Sequence, residues 1–219
     1  MIHEDLGSIE YANAWKYQQQ LFDNSIRQKQ DSLPTDNYLL FCEHPHTITV
    51  GKNGKDENLL FNERFLSEKG VELFHIDRGG DVTYHGPGQL VGYPIFDLES
   101  LGIGLKSYIH NMEEVLIELL AMYNIGAERL AGAAGVWLDT DKPSLTRKIA
   151  AIGVRSSRFV TMHGFALNVN TDLSYFNLIN PCGFVDKGVT SMQKELGKEI
   201  DMEEVKERTR VLFDKIFAV

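Results

Sequence analysis

Hydrophobic residues recur at helical spacing in three stretches of the chain. Residues 8 to 30 predict an amphipathic helix with Ser8 as its N-cap, and residues 103 to 123 predict the clearest helix. A last helix is predicted to begin near Asp201, where Glu204 three residues later completes a capping box. The stripe that the first helix is expected to bury consists of Ile9, Ala12, Trp15, Gln19, Phe22 and Ile26.

Between the helices, apolar runs of strand length are separated by turn residues. Residues 90 to 98 are apolar on both faces, which predicts a buried strand, although Pro94 indicates an edge position or a bulge. Strands and helices do not alternate regularly, so the pattern favours an α+β fold with a mixed sheet over a doubly wound parallel sheet. We expect a single domain over residues 1–219. The other predicted strands are 37–42, 47–50, 71–76, 131–139, 148–154, 159–161 and 164–170, with a short helix at 171–179.

Composition narrows the class of protein. The 219 residues carry a net charge of −9, which argues against a general nucleic-acid binder. No apolar run is long enough to span a bilayer, and two cysteines are too few for a disulfide framework or a structural zinc site. A reducing cytoplasm is therefore the expected location. Residues 142 to 158 contain five basic and no acidic residues, and predict either a docking surface for an acidic partner or a solvated strand face.

One glycine-rich stretch combines turn residues with reactive side chains. Residues 78 to 89 contain four glycines and one proline, and they enclose Asp81, Thr83, Tyr84 and His85. Because glycine allows the backbone to approach a ligand closely, this composition suits the wall of a substrate site as well as a plain connector.

The two cysteines lie in different settings. Cys42 ends the apolar run Tyr38-Leu39-Leu40-Phe41 and is predicted to be a small buried hydrophobic residue. Cys182 lies in the turn Asn-Pro-Cys-Gly, where a partly exposed thiol could act as a nucleophile.

Lys148 opens an apolar strand, so its ammonium either reaches the surface or points into a pocket.

Four segments, in this order, resemble the motifs of lipoyl(octanoyl) transferases. They are the stretch from Arg78 to Gln89, the segment Arg147-Lys148-Ile149-Ala150-Ala151-Ile152-Gly153-Val154-Arg155, the segment Met162-His163-Gly164-Phe165-Ala166-Leu167-Asn168-Val169-Asn170, and Asn180-Pro181-Cys182-Gly183. The resemblance extends from about residue 37 to about residue 193. Enzymes of this family move an octanoyl group from acyl carrier protein to a lysine of a lipoyl domain.

This resemblance implies a fold, a reaction and a set of site residues. The implied fold is that of the biotin and lipoate protein ligases, a mixed sheet flanked by helices. Cys182 matches the nucleophile that forms the acyl thioester, and Lys148 matches the lysine that lowers its pKa and could act as a base. His85 is a second candidate base. The implied substrate-binding residues are Arg78, Gly79, Gly80, Asp81, Val82, Thr83, Tyr84, His85, Ala151, Ile152, Gly153, Gly164, Phe165 and Ala166.

The resemblance also implies the partners. Octanoyl-acyl carrier protein is the expected donor, and the acceptors are the lipoyl domains of 2-oxoacid dehydrogenase complexes and the glycine cleavage H protein. Neither a nucleic acid nor a membrane is expected to take part. No cofactor and no metal are expected, because the reaction from thioester to amide runs downhill without ATP.

Four other functions are open at this point. Two are enzymes on the same fold, an ATP-dependent lipoate ligase and an amidotransferase that moves octanoate between lipoyl domains. A third is a non-catalytic acyl-binding protein. The fourth is a metal-dependent hydrolase that would use His44, His46, His75 and His85.

Overall fold

The computed structural model describes residues 1–54, 58–180 and 187–218, and the description below concerns these ranges. The helices are α1 (Tyr11–Gln30), α2 (Glu63–Glu68), α3 (Leu105–Ala121), α4 (Met192–Leu196) and α5 (Met202–Phe217), with a 3₁₀ helix at Leu173–Leu178. The strands are β1 (Ile2–Ser8), β2 (Tyr38–Glu43), β3 (Thr47–Val50), β4 (Glu72–His75), β5 (Val82–His85), β6 (Gln89–Ile95), β7 (Glu128–Leu130), β8 (Ala133–Leu138), β9 (Arg147–Ser157), β10 (Val160–Asn168) and β11 (Gly188–Val189).

The strands form two sheets. The larger one has the order β1-β2-β6-β10-β9-β8-β7, and β11 pairs with β9 beside this path. Its pairs are antiparallel except for β1 with β2 and β11 with β9, which are parallel. The smaller sheet has the order β4-β3-β5 and is also mixed. The predicted α+β fold with a mixed sheet flanked by helices is confirmed.

Alternating side chains of β2 show how the large sheet is covered on both faces. Leu39 and Phe41 pack into a core with α3 and α5, whereas Leu40 and Cys42 pack into a second core with α1. Successive strand residues point to opposite faces, and here the side chains on both faces are apolar. Strand β2 therefore has no polar face. A third, smaller core lies under the small sheet and includes residues of α2 and the 3₁₀ helix.

The ends of the described chain meet at α5. His3 on β1 contacts Asp214 on α5, with 2.9 Å between Nε2 and Oδ1. Lys206 donates to Asp5 over 2.7 Å. The first strand and the last helix are therefore joined by two side-chain contacts.

The prediction for the first helix is wrong in its start and right only in part for its buried face, because Phe22 is buried and Ile9, Trp15 and Ile26 pack against the same core, whereas Ala12 is exposed. Ser8 is not an N-cap, because residues 2 to 8 form strand β1 and Ser8 pairs with Glu43. The helix begins only after Glu10, which makes no side-chain capping bond. Its buried residues are Tyr11, Ala14, Gln18, Phe22 and Ser25. The large sheet covers this face of the helix. Which residues of α1 are buried therefore depends more on how the helix lies on the sheet than on the hydrophobicity of each residue.

The edge position indicated by Pro94 is also wrong. Strand β6 lies between β2 and β10 in the large sheet. Its paired register with β10 ends at Gly92 opposite Phe165, and His163 on β10 has a φ of +61°. Beyond that point the hydroxyl of Thr161 donates to the Pro94 carbonyl over 3.0 Å. The hydrogen-bond ladder between β6 and β10 is therefore irregular at Pro94. A proline is tolerated there because the regular ladder, which would need its N–H, has already ended.

Other boundaries differ by small amounts. The strands predicted at 159–161 and 164–170 belong to the single strand β10 (Val160–Asn168), because β9 pairs with it continuously from Val160 to Leu167. The last helix begins as predicted, and the Asp201 carboxylate accepts from the N–H groups of Glu203 and Glu204. None of the helices within the described ranges is long and apolar enough to cross a bilayer.

Candidate active site

A cavity of about 430 Å³ lies where residues of both sheets meet. Thr83 and His85 reach it from β5 in the small sheet, and strands β6, β9 and β10 contribute from the large sheet. Antiparallel pairing brings two of the sequence motifs together, because Gly153 lies opposite Gly164 and Ala151 lies opposite Ala166.

Most of the predicted substrate-binding residues line this cavity. They are Arg78, Gly80, Asp81, Val82, Thr83, His85, Ala151, Ile152, Gly153, Gly164, Phe165 and Ala166, and Lys148 lines it too. Gly79 and Tyr84 are not among the lining residues. Tyr84 is fully buried away from the cavity, where its hydroxyl lies 2.7 Å from His46 Nδ1 and its ring stacks on Tyr175.

The segment around Arg78 is locked to β9 through its backbone. Gly79 donates its N–H to the Val154 carbonyl over 2.8 Å. The Arg78 guanidinium donates to the carbonyl and hydroxyl of Thr49, over 2.8 and 2.9 Å. A Cβ on Gly153 would lie only 2.8 Å from the Gly79 carbonyl oxygen, so glycine is needed there. The structure thus gives Arg78 a role in fixing the cavity wall.

Gly164 allows an equally close approach between β10 and β6. A Cβ there would lie 2.1 Å from the Gly92 oxygen and 2.6 Å from Pro94 Cδ.

Gly164→Ala is expected to lower the free energy of unfolding by roughly 1–3 kcal/mol, because the strands must separate. Urea denaturation measures this. In Gly126→Ala, where nothing lies within 4 Å, we expect a change below about 1 kcal/mol. Equal losses in the two variants would contradict the argument.

His85 is held as one tautomer. Its Nδ1 lies 2.9 Å from Gln89 Oε1, and Gln89 Nε2 donates to the Tyr84 carbonyl and to Asn168 Oδ1. Since the amide nitrogen of Gln89 is used for those bonds, its oxygen must accept from His85 Nδ1–H. The lone pair of the imidazole is therefore on Nε2. Burial lowers the pKa of His85 to about 3, so the ring is neutral at physiological pH.

Lys148 lies near the start of β9, where this strand pairs with two neighbouring strands. It pairs with Trp137 on β8 and with Val189 on β11. The side chain is half-buried and lines the cavity, and its Nζ lies 4.5 Å from the centroid of the Trp137 ring. The side chain therefore borders the cavity and lies against the Trp137 ring.

Cys182 lies outside the described residues. The described chain is anchored on both sides of this segment, by a backbone bond to residue 58 before it and by pairing with the large sheet after it. Asn180 donates its N–H to the Asn58 carbonyl over 2.8 Å, and Val189 pairs with Lys148. The other cysteine, Cys42, is fully buried, and burial raises the pKa of its thiol. Cys42 is therefore not suited to be a nucleophile.

Behind the cavity, His44 belongs to a buried network. Its Nδ1 donates to the Ile9 carbonyl over 2.7 Å, so its Nε2 accepts from the Tyr93 hydroxyl, also over 2.7 Å. Burial lowers the pKa of His44 to about 4. The His44 side chain is thus neutral in the folded protein at physiological pH.

Acid is expected to destabilise the protein through His44. The unfolded pKa is near 6.5, so between about pH 6.5 and about pH 4 the unfolded state binds more protons, and stability falls as pH falls. Between about pH 7 and about pH 5 this costs roughly 2 kcal/mol. Urea denaturation at the two pH values measures the loss, which should be smaller in His44→Gln. An equal loss in His44→Gln would remove His44 as the cause.

Three lining residues that sequence reasoning missed are Gln89, Asn168 and His163. His163 Nε2 lies 2.9 Å from Asp77 Oδ1, and this bond holds the pKa of Asp77 below its usual range. All three lie within the motifs named above, so their polar side chains beside or within predicted strands were the available signal. Small residues at 132–134 also border the cavity.

The histidines proposed for a metal site are used otherwise. His44, His46 and His85 each bond to a protein group, and His75 lies on the exposed side of β4. Across the ranges that the structure describes, no group of three or more His, Cys, Asp or Glu side chains is arranged to hold a metal ion.

The basic stretch at 142–158 is largely paired with carboxylates. Arg147 contacts Asp139 and Glu195, and Arg155 contacts Asp77. Lys142 lies 3.3 Å from Asp139. These pairs reduce the free positive charge, so the surface offers an acidic partner less attraction than the sequence indicated.

Comparison with known proteins places the chain in a family. Residues 10–213 match the family model for the lipoyl protein ligase A/B catalytic domain. The octanoyltransferase of Parabacteroides distasonis is 58% identical over 216 residues, covering 99% of this chain and 98% of that protein. The octanoyltransferase of Bacteroides fragilis is 57% identical over 207 residues, covering 94% of this chain and 93% of that protein.

Solved structures support the fold. A bipartite lipoate protein ligase from Thermoplasma acidophilum matches with a TM-score of 0.73 at 16% identity, covering 99% of this chain and 83% of that one. The biotin protein ligase of Aquifex aeolicus matches with a TM-score of 0.56 at 12% identity, covering 99% and 70%. At these identities the likeness shows the fold alone, and the predicted biotin/lipoate ligase fold is confirmed. The chain belongs to the lipoyl protein ligase A/B catalytic domain family and is an acyltransferase of its octanoyltransferase group.

Proposed function

We propose that the protein transfers an octanoyl group from octanoyl-acyl carrier protein to a lysine of a lipoyl domain, through a thioester on Cys182. The observation that carries the proposal is the position of Lys148. It lines the cavity and pairs with β11, the strand that follows the Cys182 segment in the chain. Lys148 therefore borders the cavity close to the point where the chain that follows the Cys182 segment pairs with β9.

The cavity supports an acyl substrate by its size and lining. Eight carbon atoms, each taking about the 30 Å³ of a water molecule, need roughly 240 Å³. The cavity of about 430 Å³ holds such a chain with room for the thioester arm. Val91, Ile152, Phe165 and Ala166 give apolar walls. Burial of the seven carbons beyond the carbonyl contributes at most roughly 5–6 kcal/mol.

The proposed reaction has two steps. The Cys182 thiolate attacks the octanoyl carbonyl, a new C–S bond forms, and the carrier thiolate leaves and takes up a proton. The lysine amine of the lipoyl domain then attacks the enzyme thioester, which gives the amide and restores the Cys182 thiolate. Because a thioester is converted to an amide, the sequence of steps needs no ATP and no metal.

The incoming amine must lose a proton, since its reference pKa is about 10.4. The lowered pKa of His85 makes its imidazole a weak base near neutral pH. Lys148 in its neutral form is therefore the better candidate for the base, and His85 is better suited to accept a hydrogen bond. Backbone N–H groups near Gly153 and Gly164 are candidates to stabilise the oxyanion.

The proposed partners follow from the proposed reaction. The donor is octanoyl-acyl carrier protein. The acceptors are the lipoyl domains of 2-oxoacid dehydrogenase complexes and the glycine cleavage H protein. The names of the curated relatives support octanoyl transfer, and lipoate ligases among the structural neighbours support a lipoyl-type acceptor.

An ATP-dependent ligase is the second candidate, because one structural neighbour is a lipoate-protein ligase A bound with ATP. The two functions differ in whether acyl carrier protein leaves its acyl group on the enzyme. Intact mass spectrometry after mixing with octanoyl-carrier protein, without ATP, should show one added octanoyl group. Absence of this adduct, together with ligation of free octanoate that requires ATP, would support the ligase.

The mass measurement and a comparison of two octanoyl donors test the remaining alternatives. A non-catalytic acyl-binding protein would leave the mass unchanged and would transfer nothing. An amidotransferase would take its octanoyl group from an octanoylated lipoyl domain in preference to the carrier. Assays with the two donors at equal concentration separate these outcomes.

A further inference from the structure

A chain of hydrogen bonds joins His85 to the main chain of Lys148. His85 Nδ1–H donates to Gln89 Oε1 over 2.9 Å, and Gln89 Nε2 donates to Asn168 Oδ1, also over 2.9 Å. Asn168 Nδ2 donates to the Thr190 carbonyl over 3.0 Å, and the Thr190 N–H donates to the Lys148 carbonyl over 2.9 Å. The path crosses from the small sheet to the large one.

The direction of every bond on this path is fixed. Gln89 Nε2 also donates to the Tyr84 carbonyl over 3.1 Å, and carbonyl oxygens only accept. Asn168 Nδ2 faces the Thr190 carbonyl, so the Asn168 oxygen must face Gln89. Gln89 and Asn168 are 1% and 4% exposed, which leaves no bulk water to replace a lost partner. A change at one amide therefore propagates to its neighbours.

Asn168 holds the central position of the path. It is the last residue of β10, it lines the cavity, and it contacts both halves of the path at once. Strand β11 is only two residues long, and so short a strand needs bonds from outside to stay in place. The Asn168 amide supplies one of them at the residue directly after β11.

We infer that Asn168 is a positioning residue for acyl transfer: it fixes the Lys148 main chain relative to the cavity wall that carries His85. This inference rests on the function proposed above for Lys148. A displacement of about 1 Å at a reacting group can reduce a rate about 100-fold, so loss of this bond should slow the reaction while the cavity still binds its substrate.

Asn170 offers a matched control. It lies two residues further along the chain, and its side chain also bonds to the main chain, at Ile200. Asn170 Nδ2 donates to the Ile200 carbonyl over 2.8 Å, and Asn170 Oδ1 accepts from the Ile200 N–H over 2.9 Å. Asn170 does not line the cavity. Its replacement disturbs the fold in a similar way and leaves the path from His85 to Lys148 intact.

The first test compares Asn168→Asp with Asn170→Asp. In Asn168→Asp a carboxylate oxygen faces the Thr190 carbonyl, while the acceptor for Gln89 is kept. We expect kcat to fall about 10- to 100-fold with KM for octanoyl-carrier protein within about twofold of the wild type. Asn170→Asp should keep kcat within about twofold. Equal losses of kcat in both variants, or a rise in KM alone for Asn168→Asp, would overturn the inference.

A second measurement does not depend on activity. Asn168→Leu removes one of the two acceptors of Gln89 Nε2 and leaves only the Tyr84 carbonyl to hold the Gln89 amide, so the second tautomer of His85 should become populated. ¹⁵N NMR of the histidine ring should show one tautomer, protonated at Nδ1, in the wild type and in Asn170→Asp, and a mixture in Asn168→Leu. An unchanged tautomer in Asn168→Leu would refute the coupling. Failure of the wild type to form an octanoyl adduct would refute the proposed function instead.

Discussion

Replacing Cys182 with alanine is expected to lower the rate of octanoyl transfer by about 10⁴-fold or more. The proposed reaction passes through a thioester on this sulfur, and removal of a nucleophile that forms a covalent intermediate has effects of this size. Cys42, which is the cysteine within the described ranges, cannot replace it, because its side chain is fully buried. Single-turnover transfer from octanoyl-carrier protein to a lipoyl domain measures the rate.

Cys42→Ala is the matched control for this experiment. Its sulfur lies 3.4 Å from His44 Nε2 in the core under α1. Loss of one buried sulfur should cost roughly 1 kcal/mol of stability and leave transfer within about threefold of the wild type. An octanoyl adduct on Cys182→Ala, or ATP-dependent ligation that survives in Cys182→Ser, would remove Cys182 from the mechanism.

Lys148→Met is expected to have the second largest effect, a loss of about 30-fold or more in kcat/KM near neutral pH. An ammonium at about 4 Å, with an effective dielectric of about 20, favours a thiolate by about 4 kcal/mol before desolvation opposes it. A free cysteine near pKa 8.5 is only a few per cent ionised at neutral pH, so complete ionisation raises the thiolate fraction only about 30-fold. Loss of a base for the amine would add to this.

The pH dependence separates these two contributions. Above about pH 8.5 the thiolate forms without help, so kcat/KM for the first step in Lys148→Met should recover as pH rises. The methionine keeps the packing of the side chain against Trp137 and removes the charge. The full pH profile of adduct formation measures this. A profile identical to that of the wild type would show that Lys148 does not act on the thiol.

Lys142→Met is the control for charge. Lys142 belongs to the same basic stretch, and its side chain is 56% exposed beside Asp139. Its removal should leave kcat/KM within about twofold, because an exposed ion pair has little effect on a distant site. A loss equal to that of Lys148→Met would point to the general charge of the surface.

The sequence predicted the parts of the fold that rest on local pattern. The strands at 38–43 and 47–50 and the helix α3 were found because apolar residues fill their buried faces. Strand β1 was missed, since Ile-His-Glu-Asp-Leu-Gly-Ser at a sheet edge has little apolar character. The buried face of α1 was predicted only in part, because the packing of the helix on the sheet, which no local pattern contains, decides which residues are fully buried.

The site could be predicted only as a set of segments. Their motifs identified Lys148 and most of the cavity wall, which antiparallel pairing of β9 with β10 then brings together. Gln89 and Asn168 were missed because their role depends on partners 79 and 22 residues away along the chain. Such partners follow from strand order, which hydrophobic periodicity does not give.

The contact between β1 and α5 affects how the protein can fold during synthesis. His3 and Asp214 are 211 residues apart, and Phe213 and Phe217 of α5 complete the core on one face of the large sheet. A nascent chain lacks this helix until residues 202–217 have been synthesised, so that sheet face stays uncovered on the ribosome before then. Truncation before residue 202 would leave the same face exposed, and such fragments should aggregate or require a chaperone.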